Sequence, residues 1–477
     1  MLSPLFRTAR VDKHPASMPS CYLYPIIMLS MGVFMTVQEY RGKIHDMYTF
    51  ISERLYFNRP DLSVQGESAN ATLLLSLLTA LIGGKALIIG EPGLGKTTAA
   101  EYICSLLYCL PLGVIWSGEV SGHPEQTEEK IVGRPNLGKL NQGEEVVVWS
   151  TFARLPVKIV DEINRLPETK QSLILDGLER GKWEYLSQGL INDEFCLFAT
   201  ANYQDQGTNT LVPPLLDRFD VVVESKHPGA NIASVIGQSS ARENLLRHPD
   251  SEAAFLGALQ RTRNGRKAVD VEPLHRRFAK VVRERCGVVM LSRAERQAVR
   301  QEMAALPMTL EANALLRMLL AELSFCCKYG QKRSSEVCDE GCHYTNYLCY
   351  EVRNCASNRL PGSVYRYAQA LAWWCGSPHV DVEHIRTILP YALAHRTQWR
   401  ESYLLAREHE RRQEPLLLHA ARHATAAVFH RFHEQRHDIL ASLGTAARLL
   451  DGDDFPPPQG DHPLYSEIRR DLGLEPA

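Results

Sequence analysis

Strands and helices that alternate around a glycine-rich loop, then give way to helix alone, predict a three-layer α/β domain with a parallel sheet followed by an α-helical region. Three observations carry this. Short apolar runs of strand length recur between 86 and 223, with helical stretches between some of them. The string Gly90-Glu91-Pro92-Gly93-Leu94-Gly95-Lys96-Thr97 sits between a strand-type run and a helix-type run. After about Pro228 the strand signal stops, and 231–445 reads as helix almost throughout.

Taken in order, Val37–Leu55 has the pattern of an amphipathic helix, and a loop through Asn58-Arg59-Pro60 and Gln65-Gly66 follows. Ala71–Leu81 is apolar and helical in type, ending at Gly83-Gly84. Ala86–Ile89 is the β-type run before the glycine loop, and Thr97–Leu107 is the helix after it. Val114–Trp116, Val146–Trp149, Val157–Val160, Phe195–Ala199 and Val221–Val223 are further strand candidates, and Glu168–Arg180 is a helix among them. A Cys-rich stretch from about 326 to 362 interrupts the helical half, and the tail carries Phe455-Pro456-Pro457-Pro458. The expected units are an α/β domain over 35–228, a helical domain over 229–400 with the insert 326–362, a helical extension over 401–450, and a flexible tail over 451–477. Residues 1–34 have neither helical nor strand period and read as an upstream extension. There is no internal repeat.

Composition narrows the function classes. The 477 residues include 53 Lys+Arg against 55 Asp+Glu, so no global charge points to nucleic acid or acidic lipid. No apolar run reaches the roughly 18–20 residues that span a bilayer, so a cytoplasmic protein is expected, without a membrane partner. Twelve cysteines in such a chain argue for thiols or a metal rather than disulfides.

The chemistry begins at Gly90–Thr97, which satisfies G-x-x-x-x-G-K-[ST]. Its glycines let backbone N–H groups of Gly90 to Thr98 curl around phosphate oxygens at a helix N-terminus. Lys96 would reach the β- and γ-phosphates of ATP, and the Thr97 hydroxyl would ligate Mg²⁺. Lys158-Ile159-Val160-Asp161-Glu162 is an apolar strand ending in two acids. That arrangement puts Asp161 near the Mg²⁺ and Glu162 where it can polarise an attacking water.

The strings Val160-Asp161-Glu162-Ile163-Asn164-Arg165, Gln171-Ser172-Leu173, Ala199-Thr200-Ala201-Asn202 and Leu216-Asp217-Arg218-Phe219 resemble the MoxR family of AAA+ ATPases. That family belongs to the helix-2-insert clade, with magnesium chelatase and the McrB-type restriction GTPases. The resemblance covers roughly 37–228, and 270–396 more loosely. It implies a P-loop AAA+ fold with an α-helical lid, ATP hydrolysis in a ring of subunits, a hexamer in the family, and a chaperone-like role on a client protein. A von Willebrand factor A domain partner often accompanies the family. Asn202 then resembles the sensor-1 residue that positions water, and Arg218 the arginine finger offered to a neighbouring subunit. Arg165 resembles a second intersubunit arginine, and Arg366, in Gly362-Ser363-Val364-Tyr365-Arg366, the lid arginine called sensor 2. One departure marks a divergent branch: Ser150-Thr151-Phe152-Ala153-Arg154-Leu155 stands where the family has a Gly-Pro-rich segment.

Weaker signals remain. Cys326, Cys338, Cys342, His343 and Cys355 offer thiolates and an imidazole that suit a structural Zn²⁺, although buried apolar thiols would read the same way. Residues 261–300 hold twelve Lys/Arg against four Asp/Glu, but Phe278 is almost the only aromatic there, so nucleic acid is not an expected partner. His419, His423, His430, His433 and His437 have helical spacing without a metalloenzyme motif. Trp373 and Trp374 are expected in the core. A nucleic-acid-dependent motor of McrB type and a nucleotide-switched scaffold are the rival readings.

Overall fold

The computed structural model describes residues 37–202, 211–238, 242–263, 270–326, 328, 330–332, 338, 342, 344–411, 414–450 and 456–474. The expected extension over 1–34 lies outside them.

Five parallel strands form the central sheet: β1 (Lys85–Ile89), β2 (Val120–Ser121), β3 (Val157–Asp161), β4 (Cys196–Ala201) and β5 (Val221–Glu224), in the order β5-β1-β4-β3-β2. Ala86, Leu87 and Ile88 of β1, and all six residues of β4, are buried, as strands covered on both faces require. Every residue of Ala71–Leu81 is buried too, in α2 (Ala71–Ile82). Asn70 caps α2 by accepting the Leu73 N–H, and Gly83 ends it in the left-handed region at φ 67°. The glycine loop leads from β1 into α3 (Lys96–Tyr108), and α4 (Glu168–Arg180) follows β3.

Two expected strands differ. Val114–Trp116 lies in a helix, Leu112–Ser117, which starts after Pro111. An apolar triplet is too short for its period to separate strand from helix. Val147–Trp149 is a strand, but it pairs antiparallel with Gly133–Pro135 outside the main sheet. A second small hairpin, Lys182–Tyr185 with Gln188–Ile191, lies between α4 and β4.

The second half is helical, as expected. Its main helices are α5 (Arg293–Ala305), α6 (Leu310–Ser324), α7 (Arg359–Cys375), α8 (Val382–Leu393) and α9 (Leu416–Leu450). The amino-terminal helix Val37–Phe50, α1, folds back on them: His45 stacks on Trp374 with ring centroids 3.7 Å apart, and Lys43 pairs with Glu295. Trp373 and Trp374 are buried.

Part of the expected flexible tail is a helix, α10 (Pro463–Asp471), whose Leu464, Tyr465 and Ile468 are buried and which packs on α6. Glu322 of α6 holds it there. The fully buried Glu322 carboxylate accepts from Arg431 of α9 (Nε at 2.9 Å), from His462 (Nε2 at 3.1 Å) and from the Leu348 N–H at 3.0 Å. Burial alone would raise the Glu322 carboxyl, but His462 and Arg431 hold it below its ordinary range.

A buried acid that loses its partners, or partners that lose their acid, typically cost about 3–5 kcal/mol. Glu322→Ala is therefore expected to lower the melting temperature and to expose α10 to early proteolysis; an unchanged melt would refute the clamp. Because the folded carboxyl is depressed, its stabilisation is present at neutral pH. It is lost as pH falls below the ordinary carboxylate range and through the folded value.

Candidate functional site

The carboxyl ends of β1, β3 and β4 meet at one point, and three chain segments bring their polar groups there. Gly90 leaves β1 at φ 150°, and a Cβ on it would lie 2.6 Å from the Ser225 carbonyl oxygen. Only glycine lets the loop start so close to β5. Gly95 then opens α3, whose first residue is Lys96. The buried Lys96 Nζ donates to the carbonyls of Gly90 and Glu91, both at 2.9 Å, and to Asn202 Oδ1 at 2.6 Å. Burial pushes the Lys96 ammonium down, and Asp161, Glu162 and Glu91 pull it back up.

Asp161 closes the other side. Its Oδ1 accepts from Thr97 Oγ1 and from Thr200 Oγ1, both at 2.6 Å. Thr200 Oγ1 in turn accepts the Glu162 N–H at 2.8 Å. Glu162 is a non-glycine residue in the left-handed region, at φ 49°, a conformation that persists only where its surroundings fix it. Gly122 permits that turn, since a Cβ there would lie 1.9 Å from the Glu162 carbonyl oxygen. The turn aims the Glu162 side chain at Asn202, whose Nδ2 donates to Glu162 Oε1 at 2.6 Å, while Arg165 Nε pairs with Oε2 at 3.0 Å.

Behind Asp161 stand Glu101 and Glu119. Both are raised by burial first, and Asp161 adds to each shift; Glu101 raises Glu119 further, to about 8, whereas the hydrogen bonds with Trp116 and Glu119 pull Glu101 back down. Beside the loop opens a cavity of about 400 Å³ lined by Tyr56, Asn58, Gly95, Thr98, Tyr102 and Ile236 among others. The buried Tyr56 hydroxyl meets Ser225 Oγ at 3.2 Å, and Ser225 Oγ donates to the Leu94 carbonyl at 2.8 Å.

Lys96, Thr97, Asp161, Glu162 and Asn202 are thus brought together. Arg218 and Arg366 are not among them. They lie at the opposite edge of the sheet, where the Lys85 N–H donates to Asp220 Oδ2 at the start of β1, roughly 13 Å of strand from the loop. Arg366 Nη2 donates to Asp220 Oδ1 at 2.7 Å, so it does not reach its own subunit's phosphate loop as a lid arginine in cis would. Arg218 Nη2 donates to Glu179 Oε2 at 2.9 Å. A second arginine that the sequence reading passed over, Arg359 at the start of α7, donates to Glu179 Oε1 at 3.1 Å and to Asp217 Oδ2 at 2.8 Å. These groups line a cavity of about 240 Å³. Arg165, partly exposed, pairs with Glu162 of its own chain.

The sequence reading also missed the part played by Thr200. A threonine in a strand reads as a β-former, and only the register of β4 on β3, Ala199 beside Val160, brings its hydroxyl to Asp161.

The segment in place of the expected Gly-Pro-rich stretch is a short helix, Thr151–Arg154, capped by Ser150. The buried Lys158 Nζ satisfies its last carbonyls, those of Phe152 and Ala153. Among the described residues no group of three or more His, Cys, Asp or Glu side chains could hold a metal ion, so the expected zinc site is not supported. Cys326, Cys338, Cys342 and Cys355 are free thiols, and His343 lies outside the described residues. The nearby Cys349 thiol is buried and pushed up to about 12, the behaviour of an apolar packing group rather than a thiolate ligand. Among the described residues no helix is long and apolar enough to cross a membrane.

Residues 85–219 match the family model of the AAA domain of the dynein-related subfamily, and residues 355–416 match that of an AAA lid domain. No curated protein matches the chain. Among solved structures, a putative ATPase from Cytophaga hutchinsonii is similar, with a TM-score of 0.53 and 16% identity over 83% of this chain and 95% of that one. At that identity the likeness speaks for the fold alone. The chain therefore carries an AAA domain of the dynein-related type and an AAA lid, on an α/β P-loop fold.

Proposed function

We propose that this protein hydrolyses ATP at Gly90–Thr97 in a ring of identical subunits and uses the turnover to remodel a partner protein. One observation carries the catalytic part: Lys96, Thr97, Asp161, Glu162, Thr200 and Asn202 form an unbroken hydrogen-bonded set around the phosphate loop. The set supplies the phosphate-binding, Mg²⁺-holding and water-orienting roles of phosphoryl transfer to water.

The loop amides and Lys96 bind the phosphates, Lys96 exchanging the Gly90 and Glu91 carbonyls for phosphate oxygens. The Thr97 hydroxyl and Asp161 carboxylate are hard oxygen donors 2.6 Å apart, which fits Mg²⁺. When bound, that ion would neutralise charge on the phosphates. Glu162 orients and deprotonates the attacking water, and Asn202 holds both Glu162 and Lys96. The cavity beside Tyr56 is the place for the base and ribose.

Among the described residues, Lys96 and Arg165 are the cations bonded to Asn202 and Glu162, and Lys226 just beyond β5 is engaged with Asp61. Arg218 and Arg359 stand on the opposite edge, which supports their acting on the next subunit's nucleotide. Arg359 is the better lid candidate than Arg366, because it meets the carboxylate that also holds Arg218. The hexameric state, the protein client and a von Willebrand factor A domain partner follow from the MoxR resemblance.

Glu162→Gln should retain ATP binding while turnover falls by about 10²–10⁴-fold, the usual contribution of a general base; near-normal hydrolysis would remove Glu162 from the mechanism. Attached to a solid support, the same variant should retain its client when loaded with ATP and release it with ADP. Thr200→Val should lower kcat by on the order of 10²-fold through misplacement of Asp161 and Glu162, with the fold intact by circular dichroism. The ring is tested by mixing two dead variants, Lys96→Ala and Arg218→Ala. Turnover returns if the arginine serves a neighbour, because some interfaces then pair an intact loop with an intact arginine, and stays absent if it serves its own subunit.

A further inference from the structure

We infer that Glu179 is a positioning residue for the neighbouring subunit's site, holding a core arginine and a lid arginine together as one cationic pair. This rests on the reading that Arg218 acts across the ring.

Glu179 lies in the last turn of α4, where Gly181 ends the helix in the left-handed region at φ 62°. A carboxylate is unfavourable beside a helix C-terminus, since the carbonyl end already carries partial negative charge. Here two guanidiniums compensate it. Arg218 Nη2 reaches Oε2 at 2.9 Å and Arg359 Nη2 reaches Oε1 at 3.1 Å, one arginine to each oxygen. The two cations hold the carboxyl below its ordinary range, Arg218 more strongly than Arg359.

The two arginines come from different parts of the chain. Arg218 follows the short helix Pro213–Leu216 of the α/β domain, and its Nη1 donates to the Pro214 carbonyl at 3.0 Å. Arg359 belongs to the lid helix α7, and its Nη1 donates to Asp217 Oδ2 at 2.8 Å. Among the described residues, Glu179 is the side chain that bonds both guanidiniums. Without it, Arg359 would keep Asp217 and Arg218 the Pro214 carbonyl, but the two like charges would repel with no shared carboxylate between them. With it, a lid movement that shifts Arg359 is felt at Arg218, and through Arg218 at the γ-phosphate of the next subunit. Glu179 thereby ties the lid angle of one subunit to the hydrolysis rate of its neighbour.

The experiment is subunit mixing with Glu179→Gln, read as steady-state ATPase. Alone, the variant should lose on the order of 10²-fold in kcat, as misplaced groups do, while KM for ATP stays within about twofold because the loop is untouched. Mixed with Lys96→Ala, it should regain turnover; mixed with Arg218→Ala, it should not, since both lesions then lie on the same edge. An unchanged or raised kcat overturns the inference. So does failure of the Lys96→Ala mixture to recover while the Lys96→Ala and Arg218→Ala mixture does recover. If that control pair also stays dead, the trans reading itself falls, and the role given to Glu179 falls with it.

Discussion

One carboxylate oxygen organises the nucleotide end of this protein. Asp161 Oδ1 accepts from Thr97 on the phosphate-loop helix and from Thr200 on the neighbouring strand. Thr200 passes the constraint on by accepting the Glu162 N–H, which keeps Glu162 in its left-handed turn. The ends of β3 and β4 and the start of α3 are thus fixed to one another by hydroxyl groups a few ångströms apart. A parallel sheet supplies the precondition, because all its strands end on one edge and a ligand site forms naturally in the crevice there.

The same sheet has a second polar edge. Its amino-terminal side is anchored to the lid by buried polar contacts. Ser363 and Arg366 donate to Asp220, and Arg396 donates to the Phe219 and Asp220 carbonyls while its Nε faces Asp217 at 3.4 Å. Gly84 admits the lid directly, since a Cβ there would lie 2.6 Å from the Tyr367 hydroxyl oxygen. A lid attached at this edge carries its arginines away from its own nucleotide. In a closed ring the amino-terminal edge of one subunit can face the carboxyl edge of the next, which is what a site divided between subunits needs.

Much of this was legible in the sequence, for identifiable reasons. The phosphate loop, the acid pair, Asn202 and four of the five main strands are local: each is a short string whose residues act near where they stand in the chain. What escaped is non-local or chemically ambiguous. Glu179 and Arg359 meet across 180 positions, a pairing that no spacing rule predicts. Arg366 lies seven positions beyond Arg359 on the same helix, and both reach carboxylates at the amino-terminal edge of the sheet. Val114–Trp116 shows the limit of periodicity in a triplet, and α10 shows that a Pro-rich approach does not make a tail flexible when an apolar stripe follows. The cysteines are ambiguous for a chemical reason: a packing thiol and a metal thiolate are the same letter, and among the described residues no metal-holding group forms.

Charge bears on the proposal that a neighbour completes the nucleotide end. Around the loop stand Glu91, Glu101, Glu119, Asp161 and Glu162, while Lys96 and Arg165 bond to Asn202 and Glu162, and Lys226 to Asp61. A triphosphate brought to five ionised acids would be repelled. Burial relieves part of this, since a Glu119 that titrates near 8 beside a raised Glu101 remains largely protonated at neutral pH and removes negative charge behind Asp161. Phosphate binding is thereby made tolerable. Lys85, Arg218, Arg359, Arg366 and Arg396 gather at the other edge, where Glu179, Asp217 and Asp220 offset part of their charge. In the ring reading, binding is built into one subunit, whereas the stabilisation that hydrolysis demands arrives only with a neighbour.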